Sequence, residues 1–223
     1  MRTHAPLIGH AADALEEALR FSGPADQVVS RHFRAHRELG QRDRAFVAET
    51  VFSVLRRKRS LEAACGGSRA RDLVLAALVR LQGASVRSLD AMLNEREREM
   101  LGRAKAFDAD TGPRAVRAEL PDWLWDKLVL EYGAEEASAL ARGMLDPAPM
   151  DLRVNTMKSA RDDVIARLRA DGMPCLPTPY SPFGIRLESK PQINRHPLYE
   201  DGSIEVQDEG SQLLACLVAP RRG

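Results

Sequence analysis

The sequence has no long apolar run and few cysteines. No apolar stretch approaches the roughly 20 residues that a helix needs to cross a bilayer, and the opening MRTHAPLIGHAADALEEALR carries acidic residues where a signal peptide has an apolar segment. These absences predict a cytoplasmic protein with no membrane contact. The three cysteines, Cys65, Cys175 and Cys216, lie far apart, which is typical of free thiols in a reducing compartment.

Common catalytic and metal-binding motifs are absent as well. There is no glycine-rich phosphate loop, no H-E-x-x-H, no paired-carboxylate motif and no C-x-x-C pair. His32 and His36 share a helix face, but no carboxylate or cysteine beside them in the sequence completes a set of zinc ligands, and His4, His10 and His196 do not change this. We therefore predict no metal site.

Charge is nearly balanced over the whole chain, with a formal net charge of +1 at pH 7. The balance is uneven along the chain. Residues 1–60 hold eleven Lys or Arg against seven Asp or Glu, whereas residues 111–223 hold fourteen against seventeen. A positive excess in one part of a near-neutral protein indicates a polyanionic partner for that part.

The chain up to residue 146 has the periodicity of helices. In the stretch that starts at Gln41, Phe46, Val47, Val51 and Val54 form one apolar stripe. ARDLVLAALVRLQG is apolar on nearly every side, which predicts a central helix. Further helices are predicted in HAADALEEALR, over residues 24–39, in LPDWLWDKLVLEYG and, after Gly133, in AEEASALARGML, whereas GRAKAFDADTGPRA has the composition of a loop.

After residue 146 the pattern changes to that of strands around one long helix. MDLRVNT, GIRLES and SIEVQ alternate as strands do, and the prolines keep PCLPTPY extended. SARDDVIARLRADG is an amphipathic helix with Ser159 as candidate N-cap and Gly172 at its end. The order β-α-β-β-(short helix or loop)-β is that of ferredoxin-like and RNA-recognition folds. We predict an α+β chain with an all-helical domain over residues 1–146 and a small α+β domain over residues 147–223.

Arginine is concentrated on the predicted helices of the first domain. Arg31, Arg34 and Arg37 recur every three residues and would form one ridge suited to phosphate oxygens. The alternative is a solvated face with pairs such as Arg34–Glu38, and the spacing leaves both open. Arg42 and Arg44 flank Asp43 at a helix start, where they either cap another element or face RNA. The remaining basic candidates for RNA binding are Arg56, Arg57 and Lys58.

Two polar segments adjoin strands of the second domain. In LRVN, Arg153 and Asn155 lie on one strand face and could bind a sugar, a base or a carboxylate, although such pairs are common without a function. In VQDEGSQL, which contains Gln207, either Asp208 or Ser211 could cap the helix that begins near residue 211. Ser211 has neither a G-x-S-x-G context nor a histidine as its base, so the pattern does not indicate a nucleophile.

These segments resemble a known family. MDLRVNTMKSARDDVIARLRADG and SIEVQDEGSQLLACLVAPRRG are similar to the Sun/Nop, or RsmB-type, family of RNA 5-methylcytosine methyltransferases, in which an LRVN strand and a VQDxxSQL segment precede the catalytic domain. LGQRDRAFVAETVFSVLRR resembles the NusB-type RNA-binding domain of many bacterial members. The resemblance extends over nearly all of the chain, and VQDEGSQL is its most specific part.

The resemblance implies an activity and a cofactor for the family. Its members methylate C5 of cytosine in ribosomal or transfer RNA with S-adenosylmethionine as donor, using a cysteine thiolate that adds to C6 of the base and a second cysteine that helps to release the product. Both cysteines and the cofactor loop belong to a Rossmann-like domain, which we expect after Gly223. None of the three cysteines here lies in a matching motif. We predict that this chain alone has no catalytic residue, binds no S-adenosylmethionine and is inactive.

The resemblance also implies roles for the polar segments. Arg153, Asn155, Gln207, Asp208 and Ser211 would support the pocket for the target nucleotide beside the catalytic domain, and the arginines of the NusB-like domain would hold the RNA backbone. We therefore expect the RNA-binding N-terminal portion of an rRNA or tRNA cytosine-C5 methyltransferase. The alternatives are a stand-alone, non-enzymatic NusB-like module that binds RNA or protein, and a helical scaffold with no RNA role.

Overall fold

The structure is a computed structural model that describes residues 5–146 and 148–219. The chain divides into two compact units, Met1–Asp146 and Pro147–Gly223, which we call unit 1 and unit 2. Unit 1 is helical, and unit 2 contains a four-stranded antiparallel sheet with helices. The prediction of an α+β chain with a helical first part is confirmed.

Helices of unit 1 occupy most of the segments in which the sequence has helical periodicity. Between α6 and α7, and between α7 and α8, the chain makes single 3-10 turns at Asp90–Met92 and Ala109–Thr111. The helices are α1 (Ala5–Ala18), α2 (Ala25–Ala35), α3 (Gln41–Arg56), α4 (Lys58–Cys65), α5 (Ala70–Arg80), α6 (Val86–Leu89), α7 (Glu95–Ala106), α8 (Arg114–Arg117) and α9 (Asp122–Leu145).

Helix α5 is the centre of unit 1. Its apolar residues from Leu73 to Ala77 are fully buried, and it packs against α1, α3, α4 and α7. A helix that is apolar on all sides is stable only when other helices cover every face. The one charged side chain buried in α5, Asp72, is paired with Arg96 of α7 through two contacts of 2.6 and 2.8 Å. The predicted central position of this helix is confirmed.

Helix α9 consists of two segments that meet at Gly133. This glycine has φ 79° and ψ 164°, so the helix is broken there, in agreement with the boundary predicted from the sequence. The left-handed φ favours glycine, which has no Cβ to oppose it. Trp125 before the break and Ala137 and Ala141 after it are buried in one apolar cluster, together with Leu120. That cluster is separate from the one around α5.

Two boundaries in unit 1 differ from the prediction. Helix α2 ends at Ala35 rather than at residue 39, and the next residues form a turn in which the Leu39 N–H donates to the His36 carbonyl oxygen at 3.3 Å. The predicted loop GRAKAFDADTGPRA instead begins inside α7. Asn94 caps that helix: its Oδ1 accepts from the Glu97 N–H at 2.9 Å, and its own N–H donates to the Glu97 carboxylate at 3.0 Å.

Unit 2 has the four-stranded arrangement of a ferredoxin-like fold. The sheet order is β2-β3-β1-β4, and every pair is antiparallel. Leu152 at the centre of β1 lies opposite Ile185 on one side and Val206 on the other. The elements are β1 (Met150–Val154), α10 (Arg161–Ala170), β2 (Cys175–Pro177), β3 (Gly184–Leu187), a 3-10 turn (Ile193–Arg195), α11 (Pro197–Glu200), β4 (Ile204–Val206) and α12 (Glu209–Val218).

The core of unit 2 lies between the sheet and α10. Leu152 and Ile185 from the sheet and Leu168 from α10 are fully buried. Ser159 does not cap α10 as predicted, because the helix begins two residues later and Ala160 takes the N-cap position. The Ser159 N–H instead donates to the Asn155 carbonyl oxygen at 3.1 Å in the turn after β1.

Within residues 5–146 and 148–219, the search for a helix both long and apolar enough to cross a membrane finds none.

We predict that Gly184→Ala destabilises unit 2 by about 1–3 kcal/mol, the usual cost of overpacking. A Cβ at this position would overlap with Oγ1 of Thr178 on the neighbouring segment, and Thr178 is itself buried. Gly143→Ala in α9 is the control, because nothing lies within 4 Å of a Cβ there. Hydrogen-exchange mass spectrometry of the full chain measures the two units separately. Unchanged protection in unit 2 of the Gly184 variant would contradict the close packing described.

Candidate nucleic-acid interface

Basic residues of α2 and α3 line a shallow groove in unit 1. Ser30, Phe33 and Arg34 of α2, Arg37 of the following turn and Arg44 of α3 surround a volume of about 530 Å³. Arg34 and Arg37 are exposed. Neither forms an ion pair with another residue of the part of unit 1 that the structure describes. Their positive charge is therefore available to an anion.

Arg44 is held in place at the edge of this groove. Its Nε donates to the Leu39 carbonyl oxygen at 2.9 Å, and its guanidinium carbon lies 5.7 Å from the centroid of the Phe33 ring. A side chain fixed by a backbone acceptor and an aromatic face loses little conformational freedom when it binds a ligand. Of the two arginines that flank Asp43, Arg44 thus contacts a neighbouring turn, while Arg42 is exposed.

The predicted ridge of three arginines on α2 is not formed. Arg31 Nη1 lies 2.5 Å from Glu17 Oε1 of α1, so its charge is largely neutralised inside unit 1. Arg37 lies beyond the end of α2, because the helix is shorter than predicted. Arg34 is therefore the only one of the three that is both helical and, among the described residues, without an ion-pair partner. The proposed contact of Arg31 with RNA has the weakest structural support.

The basic run after α3 is only partly free. Arg56 is exposed and Arg57 is half-buried. Lys58 Nζ forms an ion pair with Glu62 Oε1 at 2.8 Å, one helical turn further on. The adjoining Arg59 links α4 to the start of α9, because its Nη1 lies 2.7 Å from Oδ1 of Asp122. Their contact with RNA stays a prediction, and Arg56 is the best placed for it.

A second basic cavity lies between α8 and α9, and the sequence pattern did not indicate it. Arg114, Arg117 and Arg142 line a volume of about 470 Å³ together with Trp125 and Glu135. The three arginines are exposed, against one carboxylate among these residues. The spacing of Arg114 and Arg117 is visible in the sequence, but only the fold brings Arg142 beside them. This cavity is a further candidate for phosphate binding.

The polar residues of LRVN have partners within unit 2. Arg153 Nη2 forms an ion pair with Glu205 Oε1 at 2.7 Å, between the adjacent strands β1 and β4. Asn155 lies just after β1, where its Nδ2 donates to the Gly202 carbonyl oxygen at 3.1 Å and its Oδ1 accepts from the Met157 N–H at 3.2 Å. Both side chains stabilise the local fold. Their role beside a nucleotide pocket stays a prediction.

The residues selected in VQDEGSQ have three different environments. Asp208 caps α12, since its Oδ1 accepts from the Gly210 N–H at 2.7 Å. The helix therefore begins at Glu209, earlier than expected. Ser211 is exposed on α12 and is not its cap. Gln207 Oε1 is buried and has no hydrogen-bond partner among the described residues. Their part in supporting a pocket is also still a prediction.

Two other side chains of the same motif fasten α12 to unit 2. Glu209 Oε1 accepts from the backbone N–H groups of Tyr180 and Ser181 at 2.7 and 2.8 Å. Gln212 Oε1 accepts from Ser181 Oγ at 2.7 Å, and its Nε2 donates to the Gln207 carbonyl oxygen at 2.8 Å. Both residues are buried. In the sequence, the only indication of this role is that Glu209 and Gln212 are three residues apart, which puts them on one face of a helix.

The Glu209 carboxylate belongs to a paired network. Asp151 and Arg186 form two contacts, Nε–Oδ1 at 2.7 Å and Nη2–Oδ2 at 2.8 Å, and Arg186 Nη2 lies 3.6 Å from Glu209 Oε2. Burial raises the pKa of Glu209, but the N–H groups of Ser181 and Tyr180 outweigh it, so the pKa is lowered overall. We call these side chains the α12 anchor: Asp151, Ser181, Arg186, Glu209 and Gln212.

Beyond its anchored first turn, α12 exposes apolar side chains. Leu214 is 64% exposed, Leu217 80% and Val218 75%. Leu213, also apolar, is half-buried. An apolar patch of this kind on a short helix is typical of a surface that packs against another structure.

Two of the three thiols are buried and poorly reactive. Burial, and then the nearby Asp72 carboxylate, raise the pKa of Cys65 to about 11. Burial also raises the pKa of Cys175. Cys216 is exposed on α12. A thiol with a raised pKa is a poor nucleophile because the thiolate is the reactive form.

Three histidines come together that are separated in the sequence. His10 of α1 joins His32 and His36, and one ring nitrogen of each lies within 4.8 Å of the other two. Glu38 Oε1 lies 3.0 Å from His36 Nδ1, so the alternative Arg34–Glu38 pair is not formed. The fold thus brings His10 and Glu38 beside His32 and His36, and the absence of a metal site stays a prediction. Only the packing of α1 against α2 reveals the third histidine.

The chain is similar to known proteins of one family. A family model described as Methyltr_RsmF/B-like, ferredoxin-like domain matches residues 120–194. The chain contains an RsmF/B-like ferredoxin-like domain. Proteins named Ribosomal RNA small subunit methyltransferase B are similar over a longer stretch: that of Xylella fastidiosa strain Temecula1 is 29% identical over 201 residues, which is 80% of this chain and 46% of that protein. The resemblance to the RsmB-type family is confirmed.

Other comparisons agree with this relationship. The protein of the same name from Shigella flexneri serotype 5b is 30% identical over 135 residues, which is 60% of this chain and 31% of that protein. The crystal structure of PH0851 matches all of this chain with a TM-score of 0.69 at 14% identity, and the match covers 57% of that chain. At this identity the likeness shows the fold alone. The chain spans about half the length of the Xylella relatives and a smaller share of the Shigella one.

We predict that Glu209→Gln destabilises unit 2 by about 1–3 kcal/mol at pH 7, the usual cost of an unsatisfied buried hydrogen-bond network. Because folding lowers the pKa of Glu209, its stabilisation is present above the usual value of 4.5 and is lost as the pH falls below it. The difference between wild type and variant should shrink on acidification. Hydrogen exchange in unit 2 measures this.

Glu188→Gln is the matched control, because Glu188 is exposed and lies outside the α12 anchor. It should change stability by less than about 0.5 kcal/mol. Equal effects of the two substitutions, or an effect of Glu209→Gln that does not depend on pH, would contradict the role given to the Glu209 carboxylate.

Proposed function

We propose that this chain binds ribosomal RNA and positions it for cytosine-C5 methylation, with S-adenosylmethionine as the donor in the methyltransferase to which it belongs. Two observations support this: the similar proteins are named as methyltransferases of the small ribosomal subunit RNA, and unit 1 has a groove with unpaired arginines. The groove is the observation that carries the RNA-binding role. A cytoplasmic location is part of the same proposal, because ribosomal RNA is the substrate.

The groove has the chemistry of a phosphate-backbone site. Arg34 and Arg37 supply exposed guanidinium groups, and Arg44 supplies one that is already oriented. Guanidinium groups bind phosphate oxygens through pairs of N–H donors. Such contacts give affinity that depends on salt and do not read the base sequence. We infer that the groove positions RNA, while selection of the target base depends on other contacts.

Unit 2 would contribute a fixed surface for the methyltransferase domain. The α12 anchor holds the first turn of α12, and the rest of the helix exposes Leu214, Leu217 and Val218. We propose that these side chains pack against that domain, with Gln207 close to the boundary. The unpaired buried Oε1 of Gln207 would find a donor there.

Methyl transfer itself is assigned to no described residue. The chemistry would need a reactive thiolate, and the buried thiols of Cys65 and Cys175 have raised pKa values. The role of this chain in the reaction would be binding and orientation. The alternative, a stand-alone NusB-like module, shares the groove but needs no partner for the apolar part of α12.

The double variant Arg34→Ala/Arg37→Ala should weaken binding to a small-subunit rRNA fragment by at least about tenfold at low salt. Loss of two phosphate contacts should also reduce the slope of log K against log salt by about 1.5, since each contact contributes ~0.7–0.9. Fluorescence anisotropy over a series of salt concentrations measures both quantities.

Arg87→Ala/Arg103→Ala is the matched control. It removes the same charge from exposed residues of α6 and α7 that do not line the groove. The control should retain most of the affinity. If both double variants lose affinity equally, the effect is one of net charge and the groove is not the RNA site.

Isothermal titration of the chain with S-adenosylmethionine should give no saturable heat, because no glycine-rich cofactor loop is present in the sequence. A titration with S-adenosylhomocysteine serves as the parallel measurement. Stoichiometric binding of either compound would place a cofactor site within this chain and would overturn the division of roles proposed.

A further inference from the structure

Helices α1 and α2 bring three imidazole rings into one cluster. The ring centroids of His10, His32 and His36 are 4.4–5.4 Å apart. One nitrogen of each ring lies within 4.8 Å of the others. The Glu38 carboxylate borders the same cluster, with Oε1 3.0 Å from His36 Nδ1 and 4.0 Å from His10 Nε2. Three imidazole rings therefore meet at one place, and the Glu38 carboxylate lies at the edge of their cluster.

Two nitrogen atoms of this cluster are buried without a hydrogen-bond partner among the described residues. They are His10 Nδ1 and His32 Nε2. His32 is only 8% exposed. Buried polar atoms are nearly always paired, since an unpaired one has lost its hydrogen bonds to water without replacement. Unpaired nitrogens on two neighbouring imidazole rings are atoms that a bound metal ion could satisfy.

The surroundings of His32 favour its neutral ring. Burial, followed by the proximity of His36 and His10, lowers the pKa of His32, whereas Asp13 and Glu17 have the opposite effect. Neutral imidazole is the form that binds metal ions.

We propose that His10, His32, His36 and Glu38 bind one divalent transition-metal ion, with Zn²⁺ the best match to three imidazoles and one carboxylate. In a tetrahedral site with Zn–N bonds of about 2.0–2.1 Å, ligand nitrogens lie about 3.3 Å apart. The ring nitrogens lie within 4.8 Å of one another, so binding of the ion would draw them closer together. Because all four positions are filled by protein, the site is structural rather than catalytic.

The metal would join parts of unit 1 that are far apart in the sequence. His10 is on α1, His32 is in the last turn of α2, and His36 and Glu38 belong to the turn before α3. That turn also carries Arg37 of the groove and the Leu39 carbonyl oxygen that holds Arg44. The ion would thereby attach this turn to α1, in addition to the chain connections that join the turn to α2 and α3. Metal binding can be measured without RNA and does not depend on the RNA-binding proposal.

The test uses the full chain without a histidine tag, stripped of metal with EDTA and dialysed. Zn²⁺ should bind with a stoichiometry of one in calorimetry and raise the thermal unfolding midpoint. Co²⁺ should give the intense visible absorption of a tetrahedral site. His36→Gln should weaken Zn²⁺ binding by at least about 100-fold, because even changes around the ligands cost 10–100-fold. His36 is partly exposed, so this variant should remain folded.

His196→Gln is the control, since it removes a histidine from unit 2 and should leave Zn²⁺ binding unchanged. Glu38→Gln should weaken binding while the three imidazoles remain, and an unchanged affinity would remove Glu38 from the site. Circular dichroism verifies that each variant is folded. Absence of a Zn²⁺-dependent change in the wild type, or binding that persists in both His36→Gln and His10→Gln, would overturn the proposal.

Discussion

A carboxylate that leaves water must find donors inside the protein, and this constraint organises both units. The buried acidic side chains among the described residues are Asp72, Glu97, Asp151 and Glu209. Asp72 of α5 pairs with Arg96 of α7, and Glu97 of α7 pairs with Arg71 of α5. In unit 2, Asp151 of β1 pairs with Arg186 of β3, and Glu209 of α12 accepts from the Tyr180 N–H. An unpaired charge in any of these places would cost several kcal/mol. The pairs therefore fix which helix faces which neighbour.

The same constraint divides the arginines of the chain into two groups. Those that neutralise buried or half-buried carboxylates, such as Arg96 and Arg186, are held by two contacts each and cannot serve a ligand. Arg34 and Arg37 of the groove, and the arginines of the cavity between α8 and α9, have no such partner within residues 5–146 and 148–219. A count of positive residues cannot separate the two groups. The difference lies in the distance to the nearest acid in the folded chain.

Much of the fold follows from local patterns, while the candidate sites depend on contacts distant in sequence. The apolar stripe of α3, the all-round apolar α5 and the break at Gly133 were predictable from periodicity and one glycine. The capping box at Asn94 was also in the sequence and would have revealed α7. His10 beside His32 was not predictable, because nothing local encodes how α1 packs on α2.

The α12 segment shows the same limit. VQDEGSQL carries the family resemblance, yet its pattern indicates the exposed Ser211 and the capping Asp208 and not the buried Glu209 and Gln212. The presence of a polar residue in a short motif does not indicate whether its side chain is exposed to solvent or buried. The Glu209 carboxylate accepts from the backbone N–H groups of residues 180 and 181. The sequence does not indicate these contacts, because only folding brings the loop after β2 to α12.

The position of α5 has a consequence for how the chain is made. Of the four helices that cover it, α1, α3 and α4 precede it and only α7 follows. During synthesis, α5 therefore follows three of the helices that cover it. The side that faces α7 stays uncovered until about twenty-five more residues have been made. Arg96 and Glu97 of α7 then pair with Asp72 and Arg71 of α5, so that charge as well as apolar contact brings the last covering helix into place. Because most of its covering helices precede it, α5 leaves only part of its apolar surface exposed while α7 is being synthesised.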